Sequence, residues 1–166
     1  MTTERQTVRV LLLDPQDRLL LMRGRFTRDQ PGPGFWFTAG GGAHPGESPS
    51  ETALREVREE TGFDDVQIGP VVWLNALVGW LPTGEQVMFR ERYVVARCGG
   101  GEPRRDGWEA HEHELVDEMR WWTLDEIAAS AETIFPRGLA DLLPDILAGR
   151  FPAEPVTLPS YDARDR

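Results

Sequence analysis

The sequence predicts an α+β domain on three observations: paired apolar strand patterns joined by a tight turn near the start, a sharply bounded helix over 48–62, and later strands followed by a helix with one apolar stripe at 139–147. At 166 residues the chain has the length of one domain, enough to bury about two-thirds of its surface in one core. We expect that domain over 1–150 and an extended, partly mobile tail over 151–166, where prolines recur.

Thr7 to Leu13 and Arg18 to Met22 read as strands joined by the Asp14-Pro15-Gln16-Asp17 turn, a hairpin feeding the sheet. Phe35 to Thr38 reads as a short strand entering a glycine-rich loop, where Gly40, Gly41, Gly42 and Gly46 let backbone approach a ligand closely. Ser48 then stands at an N-cap, Pro49 at the first helical position and Glu51 three residues after the serine, a capping box; Gly62 is a left-handed stop. Strands follow near Val71 to Gly79 and Gln86 to Ala96, linked around Pro82-Thr83-Gly84. Cys98 to Glu114 reads as a long polar loop carrying Arg104, Arg105 and Trp108, of a length usual for functional lids. Met119 to Trp122 reads as a strand, and Thr123-Leu124-Asp125-Glu126 as a second capping box opening a short helix. Leu139, Leu142, Leu143, Ile146 and Leu147 give the last helix its apolar stripe, and Pro144 inside it predicts a kink or a break.

The functional signal lies on the first helix. Glu56, Glu59 and Glu60 stand at i, i+3 and i+4, so three carboxylates share one stripe while Leu54, Val57 and Thr61 share another. Like charges at these spacings repel by a few tenths of a kcal/mol per pair, and a hard divalent cation reverses that sign. Mg²⁺ prefers oxygen ligands and is commonly shared between one or two carboxylates and substrate phosphates. Zinc fits poorly, because Cys98 is the single cysteine and the chain has 3 histidines. Without the glycine run, the plainer reading would be an acidic helix paired with Arg55 and Arg58.

Gly41, then Glu47, then Arg55-Glu56-Val57-Arg58-Glu59-Glu60-Thr61-Gly62-Phe63 resembles a complete box of the Nudix hydrolases, with weaker resemblance from Val8 to the helix beginning near Leu124. The resemblance implies an α/β/α sandwich around a mixed sheet, and hydrolysis of a nucleoside diphosphate linked to another group with Mg²⁺, or Mn²⁺ as a substitute. It implies metal ligation by Glu56, Glu59, Glu60 and the Gly40 carbonyl, with Glu47 in support. It also implies that Arg55 orients the glutamates and that Gly41 and Gly62 hold the loop and turn. Ala39 stands where many members have proline. The resemblance further implies a general base in a later loop: Glu114 is favoured, then Glu112, with Glu109 and Glu118 behind. The residues themselves leave that choice open, since His111-Glu112-His113-Glu114 reads equally as a solvated loop. His44 also reads as surface.

Composition bounds the partners. The net charge is −10, from 28 acidic against 18 basic residues, which disfavours broad attraction to nucleic acid or an anionic membrane. The chain contains no lysine, which excludes a Gly-Lys-Ser/Thr phosphate loop, Schiff-base chemistry and a lysine base. Phosphates must then be met by metal or by arginines, for which Arg23, Arg25 and Arg28 are candidates beside Gly41 and Gly42. Trp36, Trp80 or Trp108 could stack on a base, although core packing is the more common role. The lone Cys98 reads as a small buried hydrophobe, and with no leader-like start a cytoplasmic setting is expected. The expected substrate is a nucleoside triphosphate or modified nucleotide, with no nucleic acid or membrane partner, handled by a monomer or homodimer. An ADP-ribose or nucleotide-sugar pyrophosphatase and a non-catalytic nucleotide sensor are the alternatives, the sensor disfavoured by the retained Glu47, Glu56, Glu59 and Glu60.

Overall fold

A strand that is apolar on both faces needs cover on both sides, and Thr3–Leu13 (β1) is such a strand from Val10 onward. In the computed structural model, which describes residues 3–25, 28–29, 31–81 and 83–162, that cover comes from helices on either side of one sheet. The other strands are Leu19–Gly24 (β2), Phe35–Gly42 (β3), Gln67–Trp80 (β4), Gln86–Arg97 (β5), Val116–Trp122 (β6), Val156–Thr157 (β7) and Tyr161–Asp162 (β8). The sheet has 8 strands in the order β6-β2-β3-β1-β5-β4-β7, with β8 also on β4; β1 and β5 pair in parallel at its centre, while β1–β3 and β4–β5 are antiparallel.

Helix Pro49–Thr61 (α1) lays Ala53 and Val57 over Val8, Val10 and Leu12 on one face. On the other face, Leu124–Ala129 (α3) and Leu139–Leu147 (α4) lay Ile127, Leu139, Leu143 and Ile146 over Leu11, Leu13, Trp36 and Trp122. The result is the expected α/β/α sandwich on a mixed sheet.

Two details depart from expectation and two refine it. The glycines 40–42 are not loop but the end of β3, paired with Thr7, Val8 and Arg9. The segment after Cys98 is not wholly loop, since Ala110–Leu115 forms a short helix (α2) leading directly into β6. Pro144 does not divide α4: it removes one backbone donor, yet its own carbonyl accepts from Ala148 at 3.1 Å and the apolar stripe holds the helix on the sheet. Finally, the tail docks on β4, where the Leu158 N–H donates to the Leu74 carbonyl at 2.8 Å and the Leu158 side chain is buried. Pro82, expected in the β4–β5 turn, lies outside the described residues.

Candidate metal and phosphate site

The site is built where β3 meets α1. Ser48 Oγ accepts from the Glu51 N–H at 3.1 Å at one end of α1, and Gly62 at φ 75° closes the other with its N–H on the Arg58 carbonyl. Trp108 clamps the same end, its Nε1 donating to the Glu60 carbonyl at 2.6 Å. These local bonds hold the carboxylate stripe over β3.

Arg55 organises the stripe. Its Nε donates to Glu47 Oε2 at 2.9 Å, Nη2 to Glu47 Oε1 and the Gly42 carbonyl at 2.9 Å each, and Nη1 to Glu56 Oε1 at 2.9 Å and Glu59 Oε2 at 3.3 Å. One planar cation thus gathers three glutamates and the glycine backbone. Those bonds, with the His44 N–H at 2.6 Å, hold the Glu47 carboxyl down at about 2 against an ordinary 4.5. The same contacts push the Arg55 guanidinium further from ever losing its proton.

Glu60 has the opposite environment. It is 9% exposed, its oxygens accept from the Gly40 N–H at 3.3 and 3.4 Å, and its carboxyl is raised well above 4.5, first by burial and then by the charge of Glu56. A buried carboxylate beside a second one fits a hard divalent ion, whose charge would offset both. Among the described residues no three histidine, cysteine, aspartate or glutamate side chains already converge on one point, because Arg55 draws Glu47, Glu56 and Glu59 to itself. Glu47, Glu56 and Glu59 are therefore drawn onto an internal cation, while Glu60 lies beside Glu56 with its oxygens on the Gly40 N–H.

A cavity of about 490 Å³ opens beside them. Gly40, Gly41, Glu56 and Glu60 form one wall; Phe35, Phe37, Tyr93, Trp108 and Phe135 supply apolar surface opposite, joined by Arg9, Arg25 and Glu112. Of the arginines expected from sequence, Arg25 reaches this cavity. Arg23 does not: it pairs with Glu118 at 3.4 Å and lies 5.6 Å from the Trp36 ring centre. Arg28 is exposed. Glu114 is exposed and takes no part in the wall, whereas Glu112 on α2 does. Glu59 is half exposed, and Gly42 faces a second hollow rather than this one. Trp36 is core and Trp80 exposed, which leaves Trp108 as the tryptophan of the three in the cavity wall.

Sequence reasoning missed Arg9 and Glu91. Arg9 Nε donates to Glu91 Oε1 at 3.1 Å, and Glu91 Oε2 accepts from Asn75 Nδ2 at 3.0 Å. The available signal was a glutamate on an otherwise apolar face of β5, and an arginine in step with Leu11 and Leu13 on β1.

Two predictions arise from this geometry. A Cβ on Gly41 would stand 2.5 Å from Glu56 Oε1, the movable end of a side chain, so Gly41→Ala should fold and push that carboxylate aside. A loss of about 10- to 100-fold in metal affinity is expected, read from calorimetric titration with Mg²⁺ beside an unchanged far-UV spectrum. At Gly40, with φ 140°, the same Cβ would run into the Val8 carbonyl, a backbone clash the strand pair cannot absorb. The second concerns acid. Glu47 is more acidic folded than unfolded, so its clamp contributes fully above pH 4.5 and is lost as pH falls from 4.5 toward about 2. Denaturation midpoints of metal-free protein between pH 2 and 6 should show that limb in wild type and a flatter one in Glu47→Gln.

A family model described as a NUDIX domain matches residues 3–145. An RNA pyrophosphohydrolase of Caulobacter vibrioides is 35% identical over 136 residues, covering 74% of this chain and 73% of that protein. An uncharacterized Nudix hydrolase of Rhodococcus erythropolis is 36% identical over 92 residues, 55% of this chain and 47% of the relative, so the chain spans about half the length of that protein. A NAD-capped RNA hydrolase NudC of Stutzerimonas stutzeri is 33% identical over 122 residues, 72% of this chain and 37% of the relative. Among solved structures, a mutator MutT protein from Bacillus halodurans superposes with TM-score 0.63 at 20% identity, covering 98% of this chain and 93% of that one, which is a likeness of fold. Among the described residues no helix is long and apolar enough to cross a membrane.

Proposed function

The chain belongs to the Nudix hydrolase family, and on that premise we propose that it is a Mg²⁺-dependent pyrophosphohydrolase of a nucleoside triphosphate or modified nucleotide. The carrying observation is that Glu56 and Glu60 share one cavity of about 490 Å³ with five aromatic side chains, so one volume offers both an anionic metal seat and an apolar bed for a base.

Mg²⁺ would be held by Glu56, Glu59, Glu60 and the Gly40 carbonyl, with Glu47 fixed through Arg55; when bound it supplies charge screening on the phosphates and a more acidic water. The rest falls to the chain. Arg25 meets phosphate charge from the cavity wall, and Phe35, Phe37 and Phe135 exclude water around the base. Glu112 takes the proton of the attacking water, a role for which its place on the wall qualifies it above Glu114.

The test is a panel of nucleoside triphosphates, modified nucleotides, ADP-ribose, NADH and a 5′-triphosphorylated RNA oligonucleotide, with Mg²⁺ or Mn²⁺ and with excess chelator. Nucleotide turnover with release of phosphate or pyrophosphate, abolished by chelator, is expected. Turnover that survives chelation, or nucleotide binding with no turnover of any member, would refute the proposal. The RNA arm is included because two relatives are named as an RNA pyrophosphohydrolase and a NAD-capped RNA hydrolase.

A further inference from the structure

Burying a carboxylate against a guanidinium carries a desolvation cost that only close geometry and further hydrogen bonds offset. The Arg9–Glu91 pair is of this kind. Glu91 is 4% exposed, Arg9 Nε meets it at 3.1 Å, and Asn75 Nδ2 meets its other oxygen at 3.0 Å, while Asn75 Oδ1 is buried without a hydrogen-bond partner. The strand registers explain the meeting: Glu91 stands opposite Asn75 across β4–β5 and opposite Thr7 across β1–β5, one diagonal step from Arg9.

Anchoring through Nε leaves the outer edge of the guanidinium uncommitted. Among the described residues neither Nη1 nor Nη2 of Arg9 has a hydrogen bond, so the fork suited to two phosphate oxygens stays available. Its position is distinctive. Beside the cavity of about 490 Å³ lies a second hollow of about 820 Å³, lined by Arg5, His44, Glu47 and Arg92, and the two share only Arg9 and Gly41. A molecule lying across the carboxylate stripe from one hollow to the other passes Arg9. Arg9, Glu56 and Glu60 line the same cavity, so the guanidinium and the carboxylates share one volume.

We propose that Arg9 is a catalytic residue that grips the diphosphate bridge at the junction of the two hollows, and that Glu91, steadied by Asn75, is its positioning residue. The proposal rests on the proposed hydrolysis for its chemistry but not for its test. A diphosphate crossing this junction carries its nucleoside in the aromatic hollow and its second group toward Arg5 and Arg92.

The experiment is calorimetric binding of the α,β-methylene analogues of ADP and GDP with Mg²⁺, which needs no turnover. Arg9→Ala should weaken binding about 10- to 100-fold and Arg9→Lys should restore only part, because an ammonium lacks the fork. Added methylguanidinium should recover affinity in Arg9→Ala and not in wild type. Glu91→Gln should weaken binding in wild type yet change nothing further in Arg9→Ala, the non-additivity expected of a positioning role and not of a general loss of structure. Should Arg9→Ala fail to fold beside an orphaned Glu91, the double variant R9Q/E91Q keeps a neutral pair and is used instead, with the Mg²⁺-induced rise in melting temperature as the fold control. Equal affinities in wild type and variants, or no binding by wild type, overturn the Arg9 contact. Binding that follows the expected pattern while no nucleotide is hydrolysed sinks the proposed hydrolysis and leaves Arg9 standing.

Discussion

Glu60→Gln should lower Mg²⁺-dependent kcat/KM by about 10³-fold while leaving the metal-free protein as stable as wild type or more so. The two halves of that result come from one fact, the burial of Glu60 beside Glu56. Replacing a carboxylate ligand of a divalent site by a neutral amide removes charge stabilisation worth several kcal/mol, and roughly 1.4 kcal/mol is worth a factor of ten in rate. Without metal, however, the same carboxylate is a liability. Its folded carboxyl lies well above 4.5, so the fold holds a proton that the unfolded chain releases, and stability is greatest below 4.5 and falls as pH rises toward the folded value. Glutamine keeps the acceptor facing the Gly40 N–H at 3.3 Å and carries no charge. Differential scanning calorimetry at pH 7 with chelator should therefore place Glu60→Gln at or above wild type, and added Mg²⁺ should raise wild type much more than the variant. A variant that melts well below wild type without metal would show that Glu60 is a structural anchor and not a ligand held under strain.

Legibility in the sequence followed the range of the interactions concerned. The ends of α1 were readable because Ser48 and Gly62 act within four residues of where they stand, and the Thr123–Glu126 capping box for the same reason. The gathering of the glutamates was readable from helical spacing, although Glu56 and Glu59 are first of all paired with Arg55, as the metal-free reading of an acidic helix would have it. Gly40 to Gly42 looked like loop because glycine has little intrinsic strand preference; the bonds that make them strand come from Thr7, Val8 and Arg9, more than thirty positions away in the chain. Arg9 and Glu91 lie farther apart still and meet only through the parallel β1–β5 pairing, which no local pattern announces. Helix α2 has no apolar stripe to signal it. It is held from outside, by the His113 ring 5.3 Å from that of Trp108, which itself is tied to the Glu60 carbonyl.

That chain of contacts decides the last expectation. Trp108 fixes the end of α1 and backs His113 on α2, so α2 is set in register with the carboxylate stripe, and its third residue, Glu112, comes to the cavity wall while Glu114 remains exposed. A general base must reach the water it deprotonates, and removing one typically costs about 10²- to 10⁴-fold in rate. Glu112→Gln should accordingly lower kcat by about 10²-fold or more with little change in nucleotide affinity, while Glu114→Gln stays near wild type. Trp108→Phe offers an independent check, since it keeps the ring but gives up the 2.6 Å bond to Glu60, loosening α2 against α1 without touching either carboxylate. If α2 carries the base, that variant should reduce kcat in proportion to the misplacement of Glu112 and should have no further effect once Glu112 is glutamine. A rate that collapses in Glu114→Gln and survives in Glu112→Gln would return the base to the residue favoured by the sequence, and would require α2 to rotate when nucleotide binds.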